Sequence, residues 1–209
     1  MKKIYLYRMT HIENIPHILK HGITHQNSVN SNNSYIPIGL PGLILKREAY
    51  TLYNGKSLGT YIPFYFGARM PMLYVILLGS NSVKYDLKTI SSTDIVYCIS
   101  SVEQIINHNL GFVFSDGHAV SDLTNFYNEE AADKIANIVD YNAVNSKYWT
   151  VEHDLDLKRR KEAEFLVEED IPVSAILGFA VHDVEARKKL LQYGISDNII
   201  TVKPNFYFK

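Results

Sequence analysis

Seven short segments limit what this chain can fold into. Lys3–Met9, Met72–Leu78, Asp94–Ile99, Gly111–Ser115, Glu162–Val167, Ala175–His182 and Ile199–Phe208 are rich in Val, Ile, Tyr or Phe, and most end at Gly, Asn, Asp or Ser. That combination predicts strands. A helix is expected to start at Asn14, where Pro16 falls in the first turn and Gly22 supplies the stop. A second takes Asp183 as N-cap, runs over Val184–Tyr193 and stops at Gly194. Weaker helical patterns cover Val102–Asn109 and Glu129–Val139. Strands and helices do not alternate regularly, so a mixed, mainly antiparallel α+β fold is expected rather than a doubly wound one.

The 209 residues fit one domain, spanning 1–209, with no internal repeat and no interdomain linker. A net charge of −1 argues against gripping nucleic acid by bulk electrostatics, so any such contact must come from local clusters. The single cysteine, Cys98, excludes an intrachain disulfide and a cysteine-built zinc site. No segment approaches the ~20 apolar residues that span a bilayer. Arg8 and His11 interrupt any signal-peptide core behind Lys2 and Lys3. The expectation is a soluble cytoplasmic protein without membrane contact.

Within that frame a few segments carry chemistry. The polar stretch Gln26 to Ser34, continued by the turn-rich Pro37 to Gly42, reads as a mobile loop of the kind that forms lids and binding elements. His17, His21 and His25 lie four apart, but Gly22 breaks the helix between the last two and no metalloprotease pattern accompanies them. A structural or solvent-facing role is expected, and no metal. There is no Walker loop, no glycine fingerprint and no nucleophile elbow. Tyr61 to Tyr74 packs aromatics, Arg69 and two prolines together, as a proline-bracketed core segment or a stacking platform. Ser115–Ala119 ends a strand with a polar turn. Most informative is Glu162-Ala163-Glu164-Phe165-Leu166-Val167, behind Lys158-Arg159-Arg160-Lys161. Strand alternation would put Glu162, Glu164 and Leu166 on one face. Carboxylates beside an apolar residue suggest a cleft wall that handles positive charge, or else the solvated face of an edge strand.

Taken in order, five blocks make the chain resemble the DarT family of bacterial toxins, ADP-ribosyltransferases that act on DNA. They are Tyr7-Arg8-Met9-Thr10-His11-Ile12-Glu13-Asn14-Ile15; the Arg47 region; Tyr61 to Phe66 with Pro71 to Tyr74; Phe114 to Ala119; and Glu162 to Val167. The resemblance implies an ADP-ribosyltransferase fold, two small sheets forming a cleft for NAD with flanking helices. It implies transfer of ADP-ribose to a base in single-stranded DNA, usually thymine, with guanine the target in related branches. By the same resemblance Glu164 is the catalytic glutamate, Arg47 the functional arginine, and Arg8, Met9 and Thr10 the first-strand NAD contacts. His17 and His25 correspond to further contacts near the first helix. A macrodomain antitoxin of the DarG type is the implied partner.

The chemistry suits these residue types. Cleaving a nicotinamide–ribose bond builds oxocarbenium character, which a fixed carboxylate stabilises more than it does the ground state. An arginine holds a pyrophosphate in a forked way that lysine cannot copy. The substrate-facing loop should span about 123–161. Lys158, Arg159, Arg160 and Lys161 are candidate phosphate contacts and Arg69 a further DNA contact, while Tyr65, Tyr148 and Trp149 are candidate stacking residues. Modification of RNA or protein, or binding of single strands without catalysis, remain the alternative readings.

Overall fold

The computed structural model describes residues 3–78 and 90–208. In chain order its elements are β1 (Tyr5–His11), α1 (Ile15–His21), α2 (Pro41–Ala49), β2 (Ile62–Tyr65), α3 (Pro71–Leu78), β3 (Ile95–Ser101), α4 (Val102–Asn107), β4 (Phe112–Ser115), β5 (Phe126–Tyr127), α5 (Ile135–Ile138), α6 (Tyr141–Asn145), α7 (Leu157–Lys161), β6 (Glu164–Val167), β7 (Gly178–Val181), α8 (Val184–Gln192) and β8 (Ile200–Val202). The strands lie side by side in the order β5-β4-β6-β2-β1-β3-β7-β8. Neighbours are antiparallel except β7 and β8, which the crossover helix α8 joins in parallel.

Local chemistry explains the two helices that the sequence marks best. α1 begins just after Asn14, keeps Pro16 in its first turn and ends at Gly22, whose φ is +80°. A Cβ there would collide with the Ile171 carbonyl, so glycine is required on both counts. At the head of α8 the Asp183 carboxylate accepts the Glu185 and Ala186 amides at 3.0 and 2.9 Å.

Four expectations are corrected. Met72–Leu78 is not a strand but most of α3: its apolar residues are continuous, so their spacing distinguishes neither state, and Pro71 is well placed to open a helix. The final strand is only Ile200–Val202, because Pro204 turns the chain and offers no amide. β6 starts at Glu164, and Glu162 instead caps α7 with its amide turned to the carbonyls of that helix. Finally, among the described residues the strands make one sheet, not two.

The sheet nevertheless has a weak join. β1 and β2 meet through the single pair Tyr7–Tyr65, whereas β1 and β3 stay in register from Tyr5 to His11. Pro63 in β2 cannot donate to β1, so the strands part there and the Arg8 guanidinium spans the gap to the Pro63 carbonyl at 3.0 Å.

One face of the sheet carries the main core. Leu6, Phe64, Val96, Phe112, Phe165, Phe179 and their neighbours pack with Ile15 and Ile18 of α1, Ile105 of α4 and Leu190 of α8. Phe165 stacks on Phe112 with centroids 4.5 Å apart and meets Phe66 edge-on. Full burial of each such side chain stabilises by about 1.5–3 kcal/mol. The opposite face holds two separate apolar clusters, one around Tyr97, Leu73 and Tyr207, the other around Leu166, Val113 and Tyr61.

Candidate active site

Glu164 pairs directly with Tyr65 across β2 and β6, and Tyr65 pairs with Tyr7, so these three form a row across the join of the sheet. The carboxylate is only 1% exposed. Its Oε2 accepts a hydrogen bond from Arg47 Nη1 at 2.7 Å, and its Oε1 accepts the Ala119 amide at 3.0 Å. On the Oε1 side lies His118 Nδ1, at 3.4 Å. The backbone is tied down as well: the Glu164 amide donates to Ser115 Oγ at 3.0 Å, and that hydroxyl donates to the Gly117 carbonyl at 2.6 Å. A carboxylate so held has little freedom to turn away.

Burial alone would raise the Glu164 pKa, but the Arg47 charge, His118 and the Ala119 amide outweigh it and hold the group at about 2. The carboxylate is therefore ionised across the physiological range. His118 shows the reciprocal effect. Burial pulls its pKa down, yet attraction to Glu164 keeps it above the usual 6.5. Its stabilising contribution is thus complete below about pH 6.5 and is lost as pH rises through the folded-state value. Replacing Glu164 by glutamine is expected to drop the His118 pKa, because burial then acts with little opposition. Following the imidazole resonance by NMR against pH tests this, and an unmoved titration would break the link between the two groups.

Arg47 arrives on α2, a helix that starts where the stretch expected to be loop ends; Pro41 occupies its first turn and it buries none of its residues. Ser57 fastens its C-terminal end by donating to the Glu48 carbonyl at 2.7 Å. Among the described residues Nη1 of Arg47 has Glu164 as its partner, while the buried Nη2 has none, a donor that a bound anion would satisfy.

Arg47 and Glu164 line a cleft of about 390 Å³ that opens where β1 and β2 part. Arg8, Met9, Thr10, His17 and His25 line the same cleft, as does Tyr65. The two histidines are also part of its frame. His17 Nε2 meets Thr24 Oγ1 at 3.2 Å and its ring lies on His21, while His25 bonds the Gly59 carbonyl through Nε2 and Asp170 through its amide. Among the described residues no group of three or more His, Cys, Asp or Glu side chains is arranged to hold a metal. A buried guanidinium nitrogen without a partner among the described residues, beside an apolar and polar wall, is a group that the phosphates of a dinucleotide would satisfy.

The candidate DNA residues divide. Tyr148 is 68% exposed, with Lys147 over its ring. Trp149 instead packs edge-on against Tyr74 and Phe208, and Arg69 lies 4.6 Å above the Phe208 ring. Arg69 also holds a positive φ of 57°, uncommon without glycine. Lys158 is exposed. Arg159 and Arg160 are not open cations: Arg159 binds Asp116 and Asp156 at 2.7 Å each, and Arg160 binds Asp140 and Asp154. Asp154 and Asp156 are near neighbours in the chain, but Asp116 and Asp140 are distant and out of reach of any local reading. His118 and the Ala119 amide are the site groups that sequence reasoning passed over. The polar turn at Ser115–Ala119 was the available signal, although an amide contribution has no residue type to reveal it.

A rigid anionic carboxylate facing an arginine with an unfilled donor, at a cleft of this size, is compatible with an enzyme that works on a phosphate-bearing sugar. The chain belongs to the DarT family, whose model, described as ssDNA thymidine ADP-ribosyltransferase, DarT, matches residues 7–208. It is 30% identical over 221 residues to a DNA ADP-ribosyl transferase of Escherichia coli O127:H6, covering 99% of this chain and 94% of the relative. It is also 30% identical over 209 residues to a DNA ADP-ribosyl transferase–DNA ADP-ribosyl glycohydrolase fusion protein of Thermosipho africanus, covering 97% of this chain and 49% of that one. Among solved structures, DarT of Thermus sp. 2.9 in complex with ADP-ribosylated ssDNA superposes with a TM-score of 0.81 at 26% identity, covering 98% of this chain and 96% of that chain. The same protein in complex with NAD+ gives 0.76 at 25% identity, with coverage of 100% and 99%.

Proposed function

We propose that this chain is the toxin of a toxin–antitoxin pair, and that it transfers ADP-ribose from NAD to a thymine base in single-stranded DNA with release of nicotinamide. The observation that carries the reading is the buried Glu164 carboxylate, held ionised by Arg47 and the Ala119 amide at the wall of the cleft. Loss of nicotinamide leaves positive character on the ribose. Glu164, fixed and shielded from water, faces that charge without having to reorganise. Its pKa of about 2 makes it a weak proton acceptor and suits electrostatic stabilisation. Arg47 holds the pyrophosphate with Nη2 while Nη1 keeps the carboxylate aimed. Arg8, Met9, Thr10, His17 and His25 complete the dinucleotide site. Tyr65 and Tyr148 supply faces for unpaired bases, Trp149 follows Tyr148 in the chain and packs on Tyr74 and Phe208, and Lys158 and Arg69 provide phosphate contact. Arg159 and Arg160, engaged by carboxylates, fall out of that set.

The partner would be a macrodomain antitoxin of the DarG type that removes the modification, a pairing supported by the Thermosipho relative that carries both activities. The work would take place in the cytoplasm, where NAD and DNA meet; among the described residues no helix is long and apolar enough to cross a membrane. Incubating the protein with NAD and separate pools of single-stranded DNA, RNA and protein, followed by mass spectrometry, tests the reading. One ADP-ribose added to thymine-containing DNA is the expected result. Mass gain confined to RNA, protein or guanine-only DNA would overturn it.

A further inference from the structure

Three consecutive cations on α7 reach three separate parts of the chain. Arg159 takes Asp116, just beyond β4, and Asp156, with Thr124 Oγ1 at 3.4 Å. Arg160 takes Asp140, whose other oxygen caps α6 by accepting the Ala143 amide at 3.0 Å. Lys161 is 1% exposed, and its ammonium donates to the Val144 and Ser146 carbonyls at 2.8 and 2.9 Å. Helix α6 is therefore gripped at both ends by adjacent residues: its N-cap carboxylate by Arg160, its C-terminal carbonyls by Lys161, where a cation also suits the helix dipole.

The other side of α6 rests on the residues that follow Tyr65. Tyr141 meets Phe66 edge-on, and Val144 packs so closely on Gly67 that a Cβ at position 67 would overlap it. α6 is thus wedged between the helix that precedes Glu164 and the strand end that follows Tyr65. From its C-terminus the chain runs directly into Tyr148 and Trp149, and the Lys161 ammonium lies 5.9 Å from the Trp149 ring.

A buried ammonium is an expensive way to hold a helix. Burial, and secondarily the Arg69 charge, lowers the Lys161 pKa to about 8. Well-packed apolar residues often replace buried ions at no loss of stability, so stability is a poor reason for keeping this one. We infer that Lys161 and Arg160 are positioning residues that set α6, and with it the Tyr148–Trp149 segment, for the accepting DNA strand rather than for NAD. The inference rests on the acceptor being single-stranded DNA.

The test is steady-state transfer to a mixed-sequence single-stranded oligonucleotide, varying each substrate in turn. Lys161→Met is expected to raise the oligonucleotide KM about tenfold or more with the NAD KM changed less than about twofold. Lys161→Arg, which keeps a cation and its donors, should recover most of the loss. Should Lys161→Met fail to fold, Arg160→Gln is expected to give the same split in smaller measure. Variants that keep the wild-type oligonucleotide KM, or that lose both substrates equally, overturn the inference while the proposed activity stands. A wild-type protein that modifies no DNA overturns both.

Discussion

Glu164→Gln is expected to lower ADP-ribose transfer about 100- to 1000-fold while the protein still folds and binds NAD. Glutamine keeps the shape and one acceptor oxygen for the Ala119 amide, but removes the charge that a cationic ribose requires. Loss of a preorganised electrostatic group of this kind typically costs that factor. The substitution also leaves Arg47 without its anion, so thermal unfolding with and without NAD must accompany the rate measurement to separate chemistry from folding. A variant that retains more than about a tenth of the wild-type rate would remove Glu164 from the centre of the mechanism.

Arg47→Ala is expected to act on two observables at once. First, the NAD KM should rise about 10- to 100-fold, the equivalent of the 1.5–3 kcal/mol that a charge-assisted hydrogen bond contributes. Second, the acid limb of the rate should move. In the wild type Glu164 is held at about 2, against an ordinary value of 4.5, chiefly because Arg47 overcomes burial. The stabilisation this provides is present above about pH 4.5 and is lost as pH falls through the folded-state value. Without Arg47, burial dominates and the carboxylate titrates higher, so activity should fall away at a higher pH than in the wild type. Initial rates across pH 4–8 at saturating NAD read this directly. An acid limb that stays in place would show that the Arg47–Glu164 pair does not govern the ionisation.

Much of this molecule could be read from its residues, and the misses have definite causes. Pro16 and Gly22 mark α1 because each acts on its own backbone, and Asp183 marks α8 because its carboxylate caps the first amides, whereas the Asn14 side chain bonds Thr10 and Ile36 rather than capping α1. The apolar run in α3 carried no period, so length and composition pointed to the wrong state. β2 was hidden by Pro63, a residue that rarely enters a strand with neighbours on both sides. The basic run before Glu164 was legible as charge but not as contact: what Arg159 and Arg160 bind is decided by Asp116 and Asp140, which only the fold brings near. Arg47 and Glu164 were placed together through the family resemblance, since nothing in their spacing requires them to meet.

The position of β6 in the sheet has a further consequence for a cell that makes such an enzyme. This strand enters between β2 and β4, which are complete long before it is synthesised, and only its arrival brings positions 47, 119 and 164 together. A nascent chain on the ribosome therefore cannot assemble the Arg47–Glu164 pair until residue 164 has emerged. Fragments from translation interrupted before position 164 should be harmless for the same reason, because they lack the carboxylate.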